Sequence, residues 1–312
     1  LCVDHFDGMF AFAIWDAKEK ELFAARDRFG EKPFFYYFDK NQFLFASEMK
    51  ALWAAGIDRI PNQEMLFNFI TIGYTDNPNQ PGETFFENIH KLPTATCLKY
   101  SLSKNELTLE KYWDIDPEKQ DKHISETDAL EKFNHLLTTS VKRRLRSDVA
   151  IGTSLSGGLD SSSLVAIASS FTNSPLTAFT ASFPQFEKDE STYAKQVAEQ
   201  FKLHHFSTSI TGDDLVNDSE KLCYHQEAPF GSASIYAQYK VYELTKQQGI
   251  KVLLDGQGAD ETLAGYHKYY KWYWQELFRN RKLSRSKEIK AAKELGITEK
   301  FDFKNIIASY YV

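Results

Sequence analysis

Apolar and aromatic runs separated by short polar breaks fill the first hundred residues, a pattern that predicts antiparallel hairpins. Residues 9–15 and 21–25 flank a charged turn at 16–20, and residues 34–38 and 42–46 flank Asp39, Lys40 and Asn41. A short helix is expected over 47–55, followed by turns and loops rich in Pro, Asn and Gly. Residues 94–100 and 107–109 predict a last hairpin around Lys104 and Asn105. The period then changes. Ser125 reads as an N-cap with Asp128 three residues on. Leu130, Phe133, Leu137 and Val141 recur at helical spacing, joined by Leu136 and Leu145, which predicts an amphipathic helix with one face in a core.

From Val149 the pattern alternates strand and helix. Strands are expected over 149–155, 176–183, 204–210 and 251–254, and helices over 164–168, 191–201, 213–224 and 233–248. Such alternation implies a parallel sheet with helices on both faces, whose ligands bind at the carboxyl ends of the strands. The polar stretch holding Pro117 separates the two patterns, so the expected division is 1–115, a linker at 116–124, and 125–312.

Composition narrows the partners. A net charge of −6 argues against a nucleic-acid or acidic-membrane partner. The basic cluster of Lys142, Arg143, Arg144 and Arg146 falls at the end of the predicted helix, where it complements the dipole. No segment has the apolar length to span a bilayer, and no signal-peptide pattern is present. Three scattered cysteines, Cys2, Cys97 and Cys223, fit a reducing cytoplasm and give neither a disulfide framework nor a zinc site. The adjacent His204 and His205 point to opposite faces of a strand. The sequence opens on Leu1 and stops at Val312 without a clear terminus, so both ends are expected to be cut.

The densest chemistry is Ser156-Gly157-Gly158-Leu159-Asp160-Ser161-Ser162, set between an apolar run and a helix-like segment. Glycines let the backbone approach a ligand, and the first N–H groups of a helix favour an anion. Asp160 is suited to holding Mg²⁺ against phosphate oxygens. A Walker-type loop would end in Gly-Lys-Ser/Thr, and this turn has no lysine. The stretch resembles the pyrophosphate loop of the ATP pyrophosphatases, which implies substrate adenylation from ATP. A second glycine turn follows the 251–254 strand: Asp255-Gly256-Gln257-Gly258-Ala259-Asp260-Glu261. Its paired carboxylates, Asp260 and Glu261, could face a metal–pyrophosphate.

With Gly265-Tyr266 downstream, these two turns resemble the synthetase domain of glutamine-dependent asparagine synthetases. Residues 7–13, 26–33 and 46–52 are similar to the later half of that family's glutaminase domain. The resemblance implies two folds. A truncated, β-rich Ntn-hydrolase-type glutaminase domain precedes an incomplete parallel-sheet ATP-pyrophosphatase domain. It implies aspartate, glutamine or ammonia, and ATP as substrates, β-aspartyl-AMP as intermediate, and AMP, pyrophosphate and asparagine as products. It also implies a cytoplasmic ligase, with a homodimer left open.

By the same resemblance, the N–H groups of 156–162 would cradle pyrophosphate, and Asp160 and Asp260 would hold Mg²⁺. Leu155, Ala181, Asp255 and Gly256 would line the adenosine, while Gln257, Asp260 and Glu261 would act in the chemistry. Glu227-Ala228-Pro229 and Asp189-Glu190 are similar to family segments near the site.

Several positions depart from the family. Gln257 stands where some members carry a glutamate, and an amide cannot act as a base. Asp255 replaces a common serine. The family's nucleophile is an N-terminal cysteine, but Val3-Asp4-His5 does not match such a start, so Cys2 is expected as a buried small hydrophobe. Arg26 and Asp27 are expected to hold the domain together by ion pairing, and the aromatic run 266–274 to serve as core or contact surface. Two alternatives stay open. One is a related amidotransferase or lactam-forming enzyme adenylating another carboxylate; the other is a non-catalytic nucleotide-binding relative.

Overall fold

Short polar turns between aromatic runs fold the first part of the chain as the pattern predicts. The computed structural model describes residues 2–310 except 122, 185 and 188. Lys122 of the expected linker, and Leu1, Tyr311 and Val312 at the ends, lie outside the described residues.

Strands β1 (Ala11–Asp16) and β2 (Glu21–Arg26) pair antiparallel, with Asp16 opposite Glu21. Asp16 closes their turn by accepting the N–H groups of Lys18 and Glu19 at 2.9 and 3.0 Å. β3 (Phe35–Phe38) and β4 (Phe43–Ala46) repeat the device, with Asp39 accepting from Asn41 and Gln42 at 2.7 and 2.8 Å. Helices α1 (Met49–Ala54) and α2 (Gln63–Ile72) follow, then β5 (Ile89–Lys91), β6 (Thr96–Ser101) and β7 (Glu106–Lys111). One sheet has the order β1-β2-β6-β7 and another β4-β3-β5. Leu22, Ala24, Phe34, Tyr36, Leu98 and Tyr100 form a buried core cluster here.

α2 corrects the expectation of turns and loops after Ala55. Asn62 caps it by accepting the Met65 N–H at 3.1 Å, and Gly73 ends it at φ +74°. Its apolar residues run almost without a polar break, and Phe67, Ile70 and Ile72 stay exposed. Met65, Leu66, Phe69 and Ile72 share one side of it, but the surrounding Pro-, Asn- and Gly-rich stretch hides this stripe in the sequence.

α3 (Glu126–Arg144) starts as predicted, with Ser125 Oγ accepting the Asp128 N–H at 3.1 Å. Its inward face is shorter than expected. Val141 is buried and Leu137 half-buried, but Leu130, Phe133 and Leu136 are exposed.

Next come β8 (Ile151–Ser154), α4 (Leu159–Ser169), β9 (Thr177–Ser182), α5 (Ser191–Gln200) and β10 (His204–Ser209). They are followed by α6 (Gly212–Gln226), α7 (Ser234–Gln247), β11 (Val252–Leu254) and α8 (Ala259–Leu263). α9 (His267–Arg279), α10 (Glu288–Glu294) and α11 (Phe303–Ala308) complete the chain. The sheet order is β10-β9-β8-β11, and β8 runs parallel to both β9 and β11. The aromatic run divides by face: Trp274 is buried with Leu277 and Ala292, while Tyr266, Trp272 and Tyr273 are exposed.

The chain forms two compact units, neither of them continuous in sequence. The first comprises Leu1–Arg146, Ala181–Phe186 and Thr208–Leu244, and the second Ser147–Thr180, Glu187–Ser207 and Thr245–Val312.

Within the first unit, Arg26 and Asp27 act on the backbone. The Arg26 guanidinium donates to the carbonyls of Lys32, Leu92 and Gly30 at 2.7, 2.7 and 2.6 Å. The Asp27 carboxylate accepts the N–H groups of Phe10, Phe29, Glu31 and Lys32 at 2.9–3.2 Å. These bonds, and not the expected ion pairing alone, tie the loop 27–32 to its neighbours. Cys2 also differs from expectation, because it is exposed. The 3₁₀ turn Cys2–His5 turns Val3 inward instead, beside Ala25 and Cys97.

Glu227 joins distant parts of the same unit. It sits at φ +61° at the end of α6 and accepts the N–H groups of Met49 and Lys50 at 2.8 and 2.9 Å. The Lys50 ammonium donates to it at 2.7 Å, and only 6% of the Glu227 side chain is exposed. Glu227→Gln removes the charge and half of the accepting capacity, so it should cost about 2 kcal/mol. Denaturant unfolding would measure this, and an unchanged midpoint would show that the carboxylate contributes nothing to stability.

Candidate functional site

β8 lies in register with β11, Thr153 opposite Leu254, so the turns that follow both strands leave the sheet side by side. Two bonds fasten them. Thr153 Oγ1 donates to the Leu254 carbonyl at 2.8 Å, and the Ser154 N–H donates to Asp255 Oδ1 at 3.3 Å. A Cβ on Gly256 would meet Asp160 Cβ at 3.2 Å and the Ser161 nitrogen at 3.5 Å. The structure thus brings the second glycine turn onto the first turn of α4, within the second unit.

The first turn is shaped by glycine. Gly157 has φ +88°, and a Cβ there would meet Tyr193 Cβ at 2.7 Å and the Tyr193 carbonyl carbon at 2.8 Å. Only a residue without a side chain lets this backbone cross the start of α5. Ser156 Oγ accepts the Gly158 N–H at 3.1 Å and lies 3.1 Å from Ser161 Oγ, which donates to the Gly158 carbonyl at 3.2 Å. Gly158 is the N-cap of α4 and supplies no side-chain cap to it. Beside it the Ser162 hydroxyl is buried without a hydrogen-bond partner. An uncapped helix start and an orphaned buried hydroxyl together suit the oxygens of an anionic ligand. Leu159 stands 82% exposed, whereas the Leu155 side chain is buried among Val165, Ala178 and Ala194.

The second turn carries the other candidates. Gln257 is exposed, and Gly258, at φ +89°, caps the short α8. Asp260 and Glu261 occupy the first turn of α8. Glu261 accepts the Tyr266 hydroxyl at 2.9 Å, and this bond pushes the Tyr266 phenol above its ordinary range. The Asp260 carboxylate lies against Gly265, whose N–H donates to the Asp260 carbonyl at 2.9 Å. This close approach explains the glycine of the downstream Gly265-Tyr266 pair.

Not every predicted residue joins them. Ala181, near the end of β9, packs with Ile210, Leu222 and Tyr236 in the first unit. The carboxylate chemistry of Asp160 and Asp260 suits a hard cation such as Mg²⁺. Among the described residues, though, no three acidic, histidine or cysteine side chains converge on one point. A cation held by Asp160 and Asp260 would therefore need phosphate oxygens to complete its shell. A separate cavity of about 450 Å³ opens in the first unit, lined by Phe35, Met49, Phe85 and residues near the start of α7. None of the glycine-turn residues lines it. Sequence reading missed a contact to the first turn: the buried Thr180, whose hydroxyl reaches the Leu155 carbonyl. No sequence spacing marks it.

Asparagine synthetase (glutamine-hydrolyzing) 3 of Bacillus subtilis is 33% identical over 285 residues, covering 85% of this chain and 44% of the relative. Asparagine synthetase (glutamine-hydrolyzing) 2 of the same organism is 32% identical, covering 85% of this chain and 37% of the relative. Amidase chry2 of Gibberella zeae is 28% identical, covering 86% and 41%. The chain spans less than half the length of these relatives. Among solved structures, an NH3-dependent NAD synthetase from Campylobacter jejuni overlays 58% of this chain and 92% of its own at TM-score 0.34 and 13% identity. No helix among the described residues is long and apolar enough to cross a membrane. The family model for a glutamine amidotransferase domain matches residues 1–113. The model for asparagine synthase matches residues 132–303, across both glycine turns, and the chain belongs to the asparagine synthase family.

Proposed function

We propose that this chain takes part in the ATP-dependent amidation of aspartate to asparagine, with ammonia drawn from glutamine. The observation that carries the reading is the buried, partnerless Ser162 hydroxyl beside the uncapped start of α4. The N–H groups of Ser156 and of the first turn of α4, with this hydroxyl, hold the β- and γ-phosphates, and the Asp255 and Gly256 turn borders the nucleoside. Asp160 and Asp260 hold Mg²⁺ together with phosphate oxygens. When bound, the cation neutralises the charge that builds on departing pyrophosphate.

A carboxylate oxygen of aspartate attacks the α-phosphorus, and the bond to the β-phosphate oxygen breaks to release pyrophosphate. Ammonia then attacks the acyl carbon of β-aspartyl-AMP, AMP departs, and the surplus proton of the new amide goes to solvent. Gln257 can orient ammonia by hydrogen bonding but cannot take its proton. That same residue favours a second reading, in which another carboxylate is the adenylated acceptor. No residue of this chain is assigned as the glutamine-cleaving nucleophile. The reaction is placed in the cytoplasm, where the free thiols of Cys2, Cys97 and Cys223 persist.

The test is pyrophosphate release from ATP in the presence of aspartate and ammonium. Asp160→Ala and Asp260→Ala should each lower it by about a hundredfold or more while the fold is kept. Unchanged release in both variants would overturn the reading. Release that ignores aspartate but follows another carboxylate would select the second one.

A further inference from the structure

A chain of three hydrogen-bonding groups in the second unit ends at the phosphate turn. Thr180 on β9 is 2% exposed, and its hydroxyl donates to the Leu155 carbonyl at 2.6 Å. His205 Nε2, on β10, lies 2.8 Å from the same hydroxyl. A threonine hydroxyl has one proton to give. With that proton committed to Leu155, the hydroxyl can only accept from the ring, so Nε2 must carry hydrogen. Burial, and then the Lys195 ammonium, hold the His205 pKa below the ordinary range, which favours the neutral ring.

The Leu155 N–H is itself fixed, donating to the Phe179 carbonyl at 2.8 Å. The two peptide planes that meet at Leu155 are thus both pinned from β9. The second carries a consequence. A peptide unit is planar, so the direction of the Leu155 carbonyl sets the direction of the Ser156 N–H on its opposite side. That N–H is the first donor of the phosphate turn.

We propose that His205 is a positioning residue of this turn: by donating to Thr180 it orients the hydroxyl that holds the Leu155 carbonyl, and so aims the Ser156 N–H at the phosphate. Its role rests on the nucleotide reading of the turn. His205 touches neither phosphate nor acceptor.

Two measurements on the full chain test this. The first is the ¹⁵N spectrum of the histidine rings in the unaltered protein near neutral pH. His205 should show the Nε2–H tautomer, and an Nδ1–H tautomer overturns the proposal whatever the protein binds. The second is titration with MgATP. His205→Leu and Thr180→Val should each weaken binding about five- to tenfold, the value of one lost, moderately buried hydrogen bond. His205→Gln, whose amide can still donate, and Thr180→Ser, which keeps the hydroxyl, should recover most of that loss. Equal weakening by His205→Leu and His205→Gln, or wild-type binding by His205→Leu, overturns the proposal while leaving the nucleotide reading intact. Absence of MgATP binding by the unaltered chain overturns both, and it is read without any variant.

Discussion

Gly157→Ala should cost about 3–5 kcal/mol of stability and abolish pyrophosphate release. Two independent penalties add at this position. The backbone sits at φ +88°, where an L side chain pays on the order of 1–2 kcal/mol. The new methyl would also press on Tyr193 Cβ and the Tyr193 carbonyl carbon at 2.7 and 2.8 Å, atoms fixed by α5. The turn must then lift away from α5, and the donors at Ser156 and the start of α4 shift with it. A misplacement of about 1 Å in a positioning element can cost a hundredfold in rate. Urea unfolding and a pyrophosphate assay would measure the two effects separately. A stable variant with normal release would show that the close approach does not select glycine here.

Arg26→Ala should be the most destabilising single change in the first unit, at about 4 kcal/mol. The side chain is 7% exposed and satisfies three backbone carbonyls from two separate loops. Removing it strands the buried Leu92 carbonyl, frees the part-buried carbonyls of Gly30 and Lys32, and leaves a void where the guanidinium lay; each hydrogen bond to a charged group is worth about 1.5–3 kcal/mol. Burial lowers the Arg26 pKa, offset by the charges of Asp27 and Asp76, but a guanidinium stays protonated throughout the working range. Arg26→Lys should recover little, because one ammonium cannot span the fork that reaches Lys32, Leu92 and Gly30. Loss of less than about 1 kcal/mol on thermal or denaturant unfolding would contradict this account.

How much of this was legible in the sequence differs by element. The hairpins could be read because Asp16 and Asp39 mark their turns and aromatic runs mark their strands. The parallel sheet could be read because its strands and helices alternate, and the two glycine turns because they follow strands. α2 was hidden: its caps, Asn62 and Gly73, are ordinary loop residues, and it is embedded in a stretch rich in Pro, Asn and Gly. The helix at Ser125 was found with its cap, yet half of its apolar stripe lies exposed, since periodicity reports a face and not what covers it. At the site, glycines and carboxylates were legible as types. Close approaches such as Gly157 to α5 and Gly265 to Asp260 depend on contacts that local spacing does not encode. The work of Arg26 was misread for a related reason. An adjacent Arg-Asp pair suggests mutual attraction, whereas both side chains are spent on backbone groups.

The cap on α1 also sets an order of events during synthesis. Met49 and Lys50 leave the ribosome well before the carboxylate that accepts their N–H groups, which lies 178 and 177 residues later. Ala228, beside that carboxylate, packs against the cluster of Met49, Leu52 and Ile89. The nascent first unit must therefore wait, with this helix start and its apolar neighbours unsealed, until the 208–244 stretch emerges. Loop closure over such a separation is slow, and the waiting surface is what chaperones bind. Translation speed between the codons for Lys50 and Leu244 should thus influence yield more than the stability of the finished protein would suggest.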